Sequence, residues 1–130
     1  MGFNSRGLVD KQYVPYFADT STSYVAPDTS KPKATFTYDA VGRRTRVDYP
    51  DSTNSQVSFS DFVKTTTDQR GKQLRYTNDA YGRLVKVEEF NSGSTYTTTY
   101  EYDVLNILKK TTDNANNQTT ITYDSLSRKK

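Results

Sequence analysis

One phrase of six residues constrains this chain more than any other feature. Tyr38-Asp39-Ala40-Val41-Gly42-Arg43 returns as Asn78-Asp79-Ala80-Tyr81-Gly82-Arg83, then as Tyr102-Asp103-Val104-Leu105-Asn106 and Tyr123-Asp124-Ser125-Leu126-Ser127-Arg128. Weaker copies stand between them at Asp68-Gln69-Arg70-Gly71-Lys72 and Asp113-Asn114-Ala115-Asn116-Asn117, and Phe3-Asn4-Ser5-Arg6-Gly7 is a degraded one. Strong and weak copies alternate about every ten residues, a full period near ~21. Turn signals at that spacing, with strand-like stretches between them, indicate antiparallel β-structure.

The phrase reads as instructions for bending backbone. Asp at the start of a turn accepts hydrogen bonds from nearby amides. Ala40 and Val41 need only the ordinary right-handed region, and Gly42 supplies the positive φ that lets a hairpin close with the natural strand twist. Four of the six glycines, at 7, 42, 71 and 82, occupy this slot. Asn106 and Asn116 replace glycine in two copies, and asparagine tolerates that conformation next best. Ser127 weakens the last copy. Arg43 and Arg83 open the return strands, where a guanidinium can pair with a carboxylate or lie over a Tyr ring.

The flanks alternate as half-buried strands do. In Tyr96-Thr97-Thr98-Thr99-Tyr100-Glu101-Tyr102 the tyrosines at 96, 100 and 102 share one face, and Thr97, Thr99 and Glu101 the other. Only 32% of residues are hydrophobic, a level found in disordered chains, but 11 Tyr and 6 Phe argue for order around a thin core.

Charge and absences exclude several functions. The net charge of +3 is spread among interleaved acids and bases, so the arginines read as a solvated strand face, and no nucleic-acid partner is expected. The chain has no Cys and no His. Disulfides, thiolate metal sites and His-based triads are therefore excluded. Nothing is apolar enough to span a bilayer. Serines and threonines abound without a recognisable partnered base, so no enzyme and no cofactor are expected. The aspartates could form a metal ladder, but calcium needs several oxygens converging on one ion. Successive hairpins present about one carboxylate each, which favours turn capping. The structural turn set is Tyr38, Asp39, Gly42, Arg43, Asp68, Gly71, Asp79, Gly82, Arg83, Tyr102, Asp103, Asn106, Asp113, Asn116, Tyr123, Asp124 and Arg128.

The Tyr-Asp-x-x-Gly-Arg phrase and its relatives resemble the YD repeats of the Rhs family, and Thr66 to Lys72 resembles that family's second turn. Tyr13-Val14-Pro15-Tyr16-Phe17-Ala18 and Asp48-Tyr49-Pro50-Asp51-Ser52 look like YD-repeat portions of bacterial insecticidal toxin-complex and Salmonella plasmid virulence-type proteins. The resemblance covers most of the chain, with residues 19–34 the poorest match. It implies a β-hairpin array forming a twisted sheet ribbon, a segment of a hollow shell in a secreted or cell-surface bacterial protein. In some relatives such a shell encloses a toxic C-terminal segment. No segment matches the family's self-cleaving core.

The expected organisation is a degenerate first repeat with a Pro-containing loop over 1–34, the loop centred on Ala26 to Lys33, followed by the hairpin array over 35–130. About six repeats cannot complete a shell, so partners are expected: the rest of a longer repeat polypeptide, an enclosed toxin segment, or another copy joined through sheet edges. Closure into a small barrel is the rival arrangement. The rival function is carbohydrate recognition, with Tyr96, Tyr100 and Tyr102 stacking on sugar rings.

Overall fold

A computed structural model describes residues 1–17 and 24–130. Ala18, and residues 19–23 of the poorly matching stretch, lie outside the described residues. Among those described, the chain is all β, with eleven strands and no helix: β1 (Gly2–Phe3), β2 (Val9–Tyr13), β3 (Lys33–Tyr38), β4 (Arg44–Asp48), β5 (Asn54–Ser60), β6 (Val63–Thr67), β7 (Gln73–Asn78), β8 (Leu84–Asn91), β9 (Ser94–Tyr102), β10 (Leu108–Thr112) and β11 (Gln118–Thr120). Each strand pairs antiparallel with the next in sequence, as short reversals dictate.

The chain divides into two compact units, Met1–Gln56 and Val57–Lys130, with β5 running across the boundary. In the first unit β1 is the edge strand, and the order continues through β2, β3 and β4 to the start of β5. Here Phe36 stands opposite Val47. Val47, at 9% exposure, is the only buried hydrophobic side chain among the described residues.

In the second unit β6 to β10 are the central strands and β11 is the edge. Register sorts its side chains onto two faces. Tyr76, Val87 and Thr98 form one cross-strand row, and Leu74, Glu89 and Tyr96 a second on the same face. The opposite face carries Arg75, Glu88 and Thr97 in one row, with Thr77, Lys86 and Thr99 in the next. Arg75 lies 3.6 Å from Glu88 and 4.8 Å from the Phe90 ring centre, so the charges on this face are paired and partly stacked.

A 14.8 kDa chain wrapped around one core exposes about 7,000 Å². This one exposes 9742 Å². With so little interior, main-chain pairing and local turn bonds carry more of the stability than core packing does.

Candidate functional site

The recurring phrase folds into one hydrogen-bonded loop, and the loop appears eight times among the described residues. In each, the amide of the first residue donates to the carbonyl of the fifth, and the amide of the fourth donates to the carbonyl of the first, at 2.8–3.1 Å. The first residues are Asn4, Asp39, Tyr49, Asp68, Asp79, Asp103, Asp113 and Asp124. The fourth residue always has positive φ: 73° at Gly7, 88° at Gly42 and 79° at Gly82, but also 69° at Asn106, 64° at Asn116, 59° at Ser127 and 67° at Ser52. Ser127 thus adopts the glycine conformation and makes the same backbone bond, 3.0 Å from Asp124 O.

Seven of these loops are also capped by the side chain of the first residue. Its Oδ1 accepts from the amides two and four residues on, as Asp79 Oδ1 does from Tyr81 (2.9 Å) and Arg83 (3.0 Å). The same pair of bonds forms at Asn4, Asp39, Asp68, Asp103, Asp113 and Asp124. In four of the aspartates the second carboxylate oxygen also takes a side chain. Arg43, Arg83 and Arg128 each donate Nε to Oδ2 of their own aspartate at 2.7 Å, and Asn117 Nδ2 does so to Asp113 at 2.8 Å.

This bonding lowers the carboxyl pKa values of Asp39, Asp79, Asp113 and Asp124. The Arg43 guanidinium is the main cause at Asp39, the Asn117 side-chain amide at Asp113, and the Arg128 backbone amide followed by its guanidinium at Asp124. At Asp79 desolvation is the largest single influence and acts upward, but Arg83's side chain and amide, joined by the Tyr81 amide, outweigh it. All these oxygens are occupied by donors of their own loop. No group of three or more acidic side chains is placed to hold a metal among the described residues.

A register shift follows four of the loops and is absent after Asp68 and Asp113. Ladder register shifts by one residue at Asp10, Thr45, Val85 and Lys109, each the sixth residue after Asn4, Asp39, Asp79 and Asp103 respectively. Such a bulge breaks ladder pairing and frees main-chain groups. Accordingly the β8–β9 ladder ends at Lys86 opposite Thr99, short of Leu84. The hydroxyl of Tyr102, from the next strong copy, donates to the Leu84 carbonyl at 2.8 Å. Tyr38 does the same for Val9 (2.6 Å) and Tyr123 for Leu108 (2.8 Å). Nothing local in the sequence marks these carbonyls as partners of the hydroxyls, which lie 15 to 29 residues away.

Asn78 stands in the tyrosine position of its copy, and the same rule accounts for it. The preceding reversal there is the tight Asp61-Phe62 turn, and β6 pairs with β7 without a shift from Val63 to Thr67. No bulge frees a carbonyl, and Asn78 N donates to Phe62 O at 2.9 Å. The Asn78 side chain instead bonds Gly82 O at 3.2 Å.

Arginines link successive loops. Arg83 donates Nη1 to Asn106 Oδ1 at 3.0 Å and lies between two rings, 5.1 Å from Tyr81 and 4.9 Å from Tyr102. Arg6 reaches the carbonyls of Asp39 (2.9 Å) and Ala40 (3.1 Å). Tyr96, by contrast, is 49% exposed. Tyr100 and Tyr102 are half-buried, so of the three candidate sugar platforms only Tyr96 offers an open face.

Antiparallel succession places the turns of the second unit alternately at two ends. One end carries the Asp61-Phe62 turn and the strong turns, with Phe62, Tyr81, Val104, Leu105 and Leu126 at the tips, all at least 57% exposed. The other end carries Gln69-Arg70, Ser92-Gly93 and Asn114-Ala115. Between the tips of the 79–83 and 103–107 loops lies an open concavity of about 770 Å³ lined by Tyr81, Arg83, Tyr102, Val104, Asn106 and Lys109 among others.

No protein-family model matches the chain, and no curated protein does. Solved structures do. The chain superposes on the TcdB2-TccC3 structure with a TM-score of 0.74 at 15% identity, over 98% of its own length and 9% of that chain. A form titled TcdB2-TccC3-TEV gives 0.75 at 16%, and one lacking the hypervariable C-terminal region gives 0.73 at 16%, with the same coverage. At 15–16% identity the likeness is one of fold, and the fold of this chain is YD-repeat-like. The chain spans 9% of the length of the chains it resembles.

Proposed function

We propose that the chain is a non-catalytic scaffold segment of a longer YD-repeat polypeptide, contributing a stretch of wall to an encapsulating β-shell of a secreted, toxin-type protein. The observation that carries this reading is the coverage: nearly the whole chain fits within 9% of the TcdB2-TccC3 chain. Its terminal strands agree, since among the described residues β1 pairs only with β2 and β11 only with β10, leaving main-chain groups for adjoining strands. Every aspartate of the repeated phrase accepts hydrogen bonds from its own loop, which suits a structural role.

Hydrogen exchange tests the reading. With the sequence that follows in the parent polypeptide attached, amides of Gln118 to Thr120 exchange more slowly than in the isolated chain. Unchanged exchange there would count against a scaffold continued by neighbouring strands. The carbohydrate alternative rests on Tyr96 alone. It predicts glycan-array binding that Tyr96→Ala abolishes without unfolding the chain.

A further inference from the structure

We infer that the connection between β2 and β3 is a proteolytic modification site, cut on the carboxyl side of Tyr24 by a serine protease whose pocket accepts an aromatic ring, and that the cut chain stays together. The first ground is length. Every other connection between consecutive strands has two or five residues, whereas residues 14–32 join β2 to β3. Loops that outgrow the regular connections of a repeat array are where such arrays carry function.

The second ground is the accessibility of one peptide bond. A protease cleft takes its segment extended, with main-chain groups free to bond as an added strand does. Tyr24 is 88% exposed and Val25 55%, Ala26 and Pro27 are exposed beyond them, and none of the four forms a hydrogen bond among the described residues. The other exposed aromatic residues each fail a condition. Tyr81 lies in a closed loop, its amide held by Asp79 Oδ1 at 2.9 Å, Phe62 in a two-residue turn, and Phe3 and Tyr96 in ladders. Phe17 follows residues already tied across the connection. Val14 N donates to Pro32 O at 3.0 Å, and Asp28 N donates to the Tyr16 hydroxyl at 2.9 Å, with Lys31 over the Tyr16 ring.

The third ground is what spans the cut. The protease serine adds to the Tyr24 carbonyl, its proton passes to the departing Val25 amine, and water then hydrolyses the acyl group, leaving a carboxylate on Tyr24 and an ammonium on Val25. Residues 1–24 remain bonded to the rest. Lys11 pairs with Thr35, Gln12 with Ala34 and Tyr13 with Lys33, Tyr38 donates to the Val9 carbonyl at 2.6 Å, and Arg6 donates to the carbonyls of Asp39 (2.9 Å) and Ala40 (3.1 Å). The cut thus creates two chain ends without dismantling the first unit.

Limited digestion of the full chain with chymotrypsin tests the inference. Mass spectrometry should find residues 1–24 and 25–130 as the first products, co-eluting in gel filtration at the position of the uncut chain and separating only in denaturant. Tyr24→Ser, at a side chain too exposed to carry the fold, should slow that first cut about tenfold or more with an unchanged circular dichroism spectrum. Tyr81→Ser should leave its rate as it was. A first cut at any other bond, an unslowed Tyr24→Ser, or fragments that part without denaturant would overturn the inference.

Discussion

The guanidinium of Arg83 lies 4.9 Å from the ring centre of Tyr102, one loop further along the chain, while its Nη1 holds Asn106 Oδ1 at 3.0 Å. One side chain thus clamps two successive strong turns and closes its own loop through Asp79. A lysine retains the charge but loses the planar fork and the stacking face. Arg83→Lys is therefore expected to lower the Tm by several degrees. Arg128→Lys, at a residue 74% exposed and bonded only within its own loop, should shift it by much less. A double-mutant cycle with Asn106→Ala should show coupling for Arg83 and none for Arg128.

Glycine conformation gives a second prediction. Gly82 has φ of 79°, and nothing lies within 4 Å of where a Cβ would stand, so Gly82→Ala isolates backbone strain from packing. The expected cost is about 1–2 kcal/mol in urea unfolding. Ser127 occupies the same conformation at φ 59°, and Ser127→Gly should stabilise by a comparable or smaller amount. Equal stability of the parent and both variants would contradict the turn geometry.

The tyrosine hydroxyls supply a third. Tyr102→Phe leaves the Leu84 carbonyl without its donor and should cost about 0.5–1.5 kcal/mol. Tyr96→Phe, on the same strand and 49% exposed, should cost nothing measurable. Chemical denaturation of the two variants beside wild type decides the matter.

Acid sensitivity is the fourth. The carboxyls of Asp39, Asp79, Asp113 and Asp124 are held below their ordinary value of 3.8 by donors present only in the folded loops. Depressed folded-state values mean that the unfolded chain binds protons first as pH falls. Their stabilisation is therefore complete above about pH 5 and is lost as pH falls below 3.8 through the folded values. With no histidine, the Tm should be flat between about pH 5 and 8. Asp79→Asn should reduce the acid-induced drop in Tm.

The all-β, antiparallel class was legible in the sequence because its signals are local. An aspartate and a glycine three residues apart govern a reversal without reference to anything distant. Two reversals escaped for the same reason. At Tyr49–Thr53 tyrosine fills the acid's place and serine the glycine's, although Pro50 and Asp51 were there to be read. At Asp61-Phe62 a two-residue turn carries no glycine. What stayed hidden depends on register. The bulges at Asp10, Thr45, Val85 and Lys109 arise from pairing between strands, and the destination of the Tyr102 hydroxyl is a carbonyl 18 residues earlier. The confinement of apolar tips to one end likewise follows from strand alternation, which no single repeat displays.

With Val47 the only buried hydrophobic side chain among the described residues, substitutions along the strands seldom have to answer to neighbours packed in an interior. Hydrogen-bonded constraint then concentrates where the chain turns round. Very different spellings can then hold one form, and 15% identity stands beside a TM-score of 0.74.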